Sequence, residues 1–243
     1  MEDTYLLVKD LPNGNHLLIY QNEATTHLKN AMILPIDALR IEESNLKQYA
    51  SGYLTDIYMQ LEDAGKIKKD VYARGGPVIS FQCGSYYIHV INHLNEESLQ
   101  EINALGVGMT QALYDWYREA YEDWSFVVCV FDADKSTAAK HPIGIEYTPR
   151  NVEWLHFPLV DSHTGGVPTR DKIRPHQICL AEDNDESGLY IKSLDANIGC
   201  IDFPAKKIRI ENEDMFIRKG TQDIGDLTGN YWAGNIKFRL PNE

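Results

Sequence analysis

The chain has 243 residues, 43% of them hydrophobic and 24% charged, with a formal net charge of −13 from 36 acidic and 23 basic side chains. That length can bury a sizeable core without disulfide or metal staples, and the composition argues against disorder. The acidic balance argues against non-specific nucleic-acid binding, which rests on Lys and Arg neutralising phosphates.

No run of about 18 apolar residues occurs, so no membrane-spanning helix is expected. The start, Met1-Glu2-Asp3-Thr4, is acidic where a secretory leader would be basic. The four cysteines, Cys83, Cys129, Cys179 and Cys200, form no Cys-x-x-Cys pair. A reduced, cytoplasmic setting with mostly buried thiols is the expectation.

In chain order, residues 5–9 and 16–20 read as a hairpin around Pro12-Asn13-Gly14, because Asn-Gly is a strong hairpin turn signal. Residues 31–36 form a short apolar run suited to a buried strand. The spacing of Leu46, Tyr49, Tyr53, Ile57 and Leu61 predicts a helix over 44–64, stopped by Gly65. Strands are expected at 77–82 and 86–92, with a tight turn at Cys83-Gly84-Ser85.

Helix follows from 95 to about 121, started by Asn95 with Ser98 and divided near Leu105-Gly106-Val107-Gly108. Residues 125–132 are apolar almost throughout and predict a strand covered on both faces. Beyond the loop 133–141 the pattern is nearly all β. Strands are expected at 143–147, 154–160, 173–180, 189–192, 207–211, 215–218 and 235–240. The whole reads as one α+β domain, a large and mainly antiparallel sheet system with two substantial helices and a mostly β C-terminal half. Residues 133–141 are the one place where it could divide.

The densest chemistry lies between Trp154 and Leu180, where His156, His163, His176 and Cys179 occur. If the strands at 154–160 and 173–180 pair with each other, His156 and His176 become cross-strand neighbours, with His163 at the turn. Three imidazoles can hold zinc, with Asp161 or Glu153 as supporting carboxylate, and a metal-bound water would make a hydrolase. The spacing His-x6-His-x12-His matches no established motif, so separate structural histidines are the competing reading.

Asp183-Asn184-Asp185-Glu186-Ser187-Gly188 resembles the first half of an EF-hand calcium loop. The resemblance implies Asp183, Asp185 and Ser187 as ligands and a calcium-stabilised structural protein. The twelfth position, where a bidentate Glu should close the site, is Leu194. An acidic turn between strands is the simpler reading.

Cys83-Gly84-Ser85 echoes part of a papain-type signature, but Tyr86 stands where the nucleophilic cysteine belongs, so that enzyme class is rejected. His89 and His93 lack the intervening Glu of a zinc protease, and on a strand they stand about 13 Å apart at ~3.3 Å per residue, too far for one metal. Trp116, Tyr117, Tyr121 and Trp124 anchor a helix to a sheet if buried, or mark a partner site if exposed. With no catalytic signature surviving, the leading expectation is a binding or interaction protein with a protein partner or self-association. A metal-dependent hydrolase and a calcium-stabilised protein are the alternatives.

Overall fold

The computed structural model describes residues 4–22, 30–49, 53–54, 86–131, 142–160, 166–168, 176–183, 201–202, 205–208, 214–218 and 236–239. The expected first hairpin is present as β1 (Thr4–Asp10) and β2 (His16–Asn22), with Thr4 opposite Asn22 and Asp10 opposite His16. Gly14 closes the turn at φ 81°, a left-handed backbone that favours glycine, and its N–H bonds the Leu11 carbonyl at 2.9 Å.

β3 (Asn30–Ile36) comes next, followed by a short 3-10 turn at Glu43–Asn45 and β4 (Leu46–Gln48). The helix expected from 44 therefore does not begin there. Leu46, Lys47 and Gln48 pair instead with Ile145, Gly144 and Ile143. Long-range backbone pairing overrides the local 3.6-residue spacing, which a sequence cannot weigh against it. Tyr53 and Leu54 are helical and buried, while 55–64 lie outside the described residues, as do the expected strand at 77–82 and the turn at Cys83.

β5 (Tyr87–Ile91) leads into α1 (Glu96–Ala104) and α2 (Gln111–Ala120). The Asn95 side chain accepts from the N–H groups of Glu97 and Ser98, and Ser98 Oγ accepts from Asn95 N–H, which closes both ways the N-terminal cap. Gly106, at φ 78°, ends α1, its N–H returning to Asn103, so the expected division occurs where glycine permits it. β6 (Ser125–Phe131) is buried along its whole length.

β7 (Ile143–Tyr147), β8 (Trp154–Phe157), β9 (His176–Asp183), β10 (Ile201–Asp202), β11 (Ala205–Ile208), β12 (Asp214–Arg218) and β13 (Ile236–Arg239) complete the described strands. The largest sheet runs β10-β9-β1-β2-β7-β4, with β11 also on β9. β9 lies parallel to β1; the other pairs are antiparallel. Two three-stranded sheets, β3-β6-β5 and β13-β12-β8, accompany it. The fold is α+β with a mainly antiparallel sheet system, as expected.

Alternation along β6 explains the layering. Val127, Cys129 and Phe131 join Leu6, Val8 and Leu18 in a core between the large sheet and the β3-β6-β5 sheet. Phe126, Val128 and Val130 face the other way, onto Ile102, Leu113, Tyr114 and Tyr117 of the helices. β6 is thus covered on both sides, which its apolar run anticipated. Among the described residues no helix is long and apolar enough to cross a membrane.

Candidate functional site

The strands that carry His156 and His176 pair with other strands. β8, which carries His156, pairs with β12, and β9, which begins at His176, pairs with β1, β10 and β11. Among the described residues these two segments are not paired with each other, which corrects the basis of the His156–His176 pairing. The physical reason is that each strand finds an apolar partner elsewhere: Phe216 opposite His156, and Leu6 opposite Ile178. His163 lies outside the described residues. Among those described, no group of three or more His, Cys, Asp or Glu is placed to hold a metal ion. For the calcium reading, Asp183 ends β9, while Asp185 and Ser187 lie outside the described residues.

His156 has a different partner, Asp214, at 3.0 Å between Nε2 and Oδ2, with both side chains buried. The carboxylate accepts, so Nε2 carries the proton. Oδ2 also accepts from the Tyr121 hydroxyl at 2.8 Å. Oδ1 accepts from the backbone N–H of Leu159 and Val160 at 2.9 and 3.0 Å. Four donors on one carboxylate compensate its burial. Trp124 meets the imidazole edge-on at 4.8 Å and Phe216 lies tilted over it at 5.0 Å. The network joins the end of α2 to the β8–β12 ladder.

Burial also decides the aromatic cluster. Tyr117, Tyr121 and Trp124 are buried and Trp116 packs partly buried against the same core. They anchor the helix pair to the sheets, so the partner surface read for Trp116, Tyr117, Tyr121 and Trp124 is not a free surface. Burial, then the Asp214 carboxylate, holds the Tyr121 phenol well above its usual pKa.

The surface feature that stands out lies where two sheets part. Among the described residues β4 ends the large sheet and β5 ends the β3-β6-β5 sheet, and a cleft of about 490 Å³ separates them. Leu46, Ile143, Tyr86, Ile88 and Val90 give it apolar walls; Glu43, Lys47, Gln48 and His89 complete its lining. Asn92 sets the spacing. Its side chain accepts from Ile41 N–H at 2.6 Å and donates to the Ile41 carbonyl at 3.0 Å, tying the approach to Glu43 onto the end of β5. Ser125 Oγ bonds the same Asn92 oxygen at 3.1 Å.

The charges around the cleft are partly spent. Lys47 Nζ lies 3.5 Å from Glu146, and Arg40 Nε 3.3 Å from Glu42. Glu146 is held below the usual carboxylate range chiefly by the Asn15 side chain, with help from Asn13 and Lys47. Glu43 has no basic partner among the described residues. On β5, Tyr87 is 72% exposed and Ile88 36% exposed, an unusual pair of apolar side chains on a strand that ends its sheet among the described residues.

No protein-family model and no curated protein sequence matches the chain. Solved structures do. The fold resembles that of baculovirus P35. The TM-score is 0.50 at 12% identity, over 74% of this chain and 63% of P35, so the chain spans less than two thirds of that P35 structure. A mutated baculovirus P35 after caspase cleavage gives 0.47 at 12% identity, over 74% of this chain and 66% of that one. P35 in the caspase-8/P35 complex gives 0.43 at 12% identity, over 91% and 89%. At such identity the likeness is one of fold.

Sequence reasoning missed both features. Asp214 sits 58 residues from His156, and nothing local marks it as a partner. The cleft had a faint signal in Tyr86-Tyr87-Ile88-His89-Val90, a strand pattern with more apolar character than an exposed edge requires.

Proposed function

We propose that this chain is a protein-binding protein and that its partner class is a caspase. The observation that carries the reading is the fold likeness to baculovirus P35, a protein known in complex with caspase-8 and after caspase cleavage. Two features of the chain support a binding role. His156 is spent on a buried carboxylate, and among the described residues β5 ends its sheet beside an apolar-walled cleft. Binding of an extended segment by an edge strand is a common recognition mode, needing no chemistry from the binder.

The direct test mixes the purified chain with active caspase-8 and follows hydrolysis of a fluorogenic peptide, with size-exclusion chromatography alongside. A stoichiometric complex with reduced hydrolysis is expected. Unchanged hydrolysis and separate elution at about 10 µM of each protein, a concentration corresponding to roughly −7 kcal/mol of binding, would sink the reading.

A further inference from the structure

We propose that Asn13-Gly14, at the tip of the first hairpin, is a site of spontaneous deamidation, and that conversion of Asn13 to aspartate or isoaspartate turns its contact with Glu146 on β7 from attraction into repulsion. This goes beyond the binding role above and is independent of it.

The reaction needs only water. The backbone nitrogen of Gly14 gives its proton to solvent and attacks Cγ of Asn13; the Cγ–Nδ2 bond breaks, and ammonia leaves with a proton drawn from water. Water then opens the resulting five-membered imide. Opening at Cγ gives aspartate. Opening at the backbone carbonyl gives isoaspartate, in which the chain runs through the side chain.

Sequence and position select Asn13. A side chain on the following residue crowds the attacking nitrogen, and Asn13 alone among the asparagines precedes glycine, while none precedes serine. Residues 12–14 are exposed. Among the described residues, chain neighbours aside, no atom lies within 4 Å of the place a Gly14 Cβ would take. The Asn15 N–H donates to Asn13 Oδ1 at 3.0 Å. Negative charge grows on that oxygen as the nitrogen attacks, so the turn already aims a donor where the tetrahedral intermediate needs one. One contact opposes the attack: the Gly14 N–H is bonded to the Leu11 carbonyl at 2.9 Å and must first let go. The turn slows the reaction without blocking it.

The consequence falls on Glu146. Its Oε1 accepts from Asn13 Nδ2 at 3.2 Å and from Asn15 Nδ2 at 3.0 Å, and its Oε2 lies 3.5 Å from Lys47 Nζ on β4. Asn15 first, then Asn13 and Lys47, hold this carboxyl below its usual range. Deamidation replaces the Asn13 donor with a second carboxylate beside Oε1, and each like charge disfavours ionisation of the other. Asn15 keeps its bond from Thr148 Oγ1 at 2.9 Å, which confines the change to the tip. Each converted chain also adds one negative charge to a net −13, so the product separates by charge.

The test ages the full chain at physiological temperature and mildly alkaline pH. Ion-exchange chromatography, peptide mass mapping and isoaspartyl methyltransferase labelling follow the products. An acidic form should accumulate, with conversion at Asn13 about tenfold faster than at any other asparagine, a barrier difference of roughly 1.4 kcal/mol. A synthetic peptide of residues 9–17 should convert several-fold faster still, having no settled turn bond to break. Asn13→Gln, which would have to close a larger ring, should stop the acidic form from appearing. Asn13→Asp should raise the Glu146 pKa, read by carboxyl NMR, and lower the melting temperature. Glu146→Gln should remove most of that drop.

Faster conversion at another asparagine overturns the proposal, as does an intact Asn13 once the peptide has fully reacted, or an acidic form that persists in Asn13→Gln. An unmoved Glu146 titration in Asn13→Asp overturns the link to β7.

Discussion

Asp214 and His156 lie in different strands of one small sheet, yet Asp214 Oδ2 sits 3.0 Å from His156 Nε2 in a site with almost no solvent contact. Met215 pairs with Phe157 and Phe216 with His156, so the carboxylate reaches the ring from the residue just beyond the last ladder pair. Its other oxygen holds the chain at Leu159 and Val160, where β8 has already ended. The strand expected to run on to Val160 stops early because that carboxylate, and not a neighbouring strand, satisfies those two N–H groups.

Asp214→Ala should therefore cost about 3–5 kcal/mol in urea unfolding, since it leaves a buried ring N–H, a hydroxyl and two backbone donors unanswered. Tyr121→Phe removes one bond and should cost about 1 kcal/mol. The double substitution should fall short of the sum, because without the carboxylate the hydroxyl has no bond left to lose. Full additivity would show that the two groups act separately.

Asn92 bonds both backbone groups of Ile41. Asn92→Leu, close in size, should lower stability by about 1–3 kcal/mol and accelerate amide exchange at Ile41. Unaltered exchange at Ile41 would show that the loop is held by other means.

Burial raises the pKa of the most deeply enclosed phenols above the usual value: Tyr147, with Asp37 adding to it; Tyr121, with Asp214; and Tyr86, with Cys129 and Tyr20. Below the ordinary phenol pKa of ~10 both folded and unfolded chains are neutral at these positions, and their contribution to stability is intact. As pH climbs past that value only the unfolded chain ionises them, so stability falls until the raised folded pKa is reached. Tyrosinate absorbance from these rings should appear together with the loss of circular dichroism. Smooth ionisation well before unfolding would contradict their burial.

Gly144 lies on β7 against the ring of Tyr49, and a Cβ built there would meet Tyr49 Cε2 at 2.2 Å. Tyr49 itself packs on Tyr53 at 4.8 Å between ring centroids. Gly144→Ala should cost about 1–3 kcal/mol, the usual range for overpacking. Combining it with Tyr49→Ala should cost little beyond Tyr49→Ala alone. Equal costs of Gly144→Ala in the two backgrounds would mean that the ring is not what the methyl group meets.

Much of the local architecture was legible in the sequence because it rests on local physics. Asn-Gly closes the first turn, Asn95 with Ser98 starts α1, Gly106 ends it, and the apolar run 125–131 marks a strand buried on both faces. Each depends on residues within a few positions of one another. The α+β class followed from the same signals.

Strand partners were not legible, because β pairing is chosen by long-range burial and any two apolar strands compete for it. That choice turned Leu46-Lys47-Gln48 from helix to strand by pairing it with β7, and it sent β8 to β12 rather than to β9. The second choice leaves His156 and His176 without the cross-strand pairing that the cluster reading assumed. Asp214 as the partner of His156, and the cleft between two sheet edges, exist only once strands distant in sequence have been brought side by side; hydrogen bonding and packing across that distance leave no mark in the neighbouring residues.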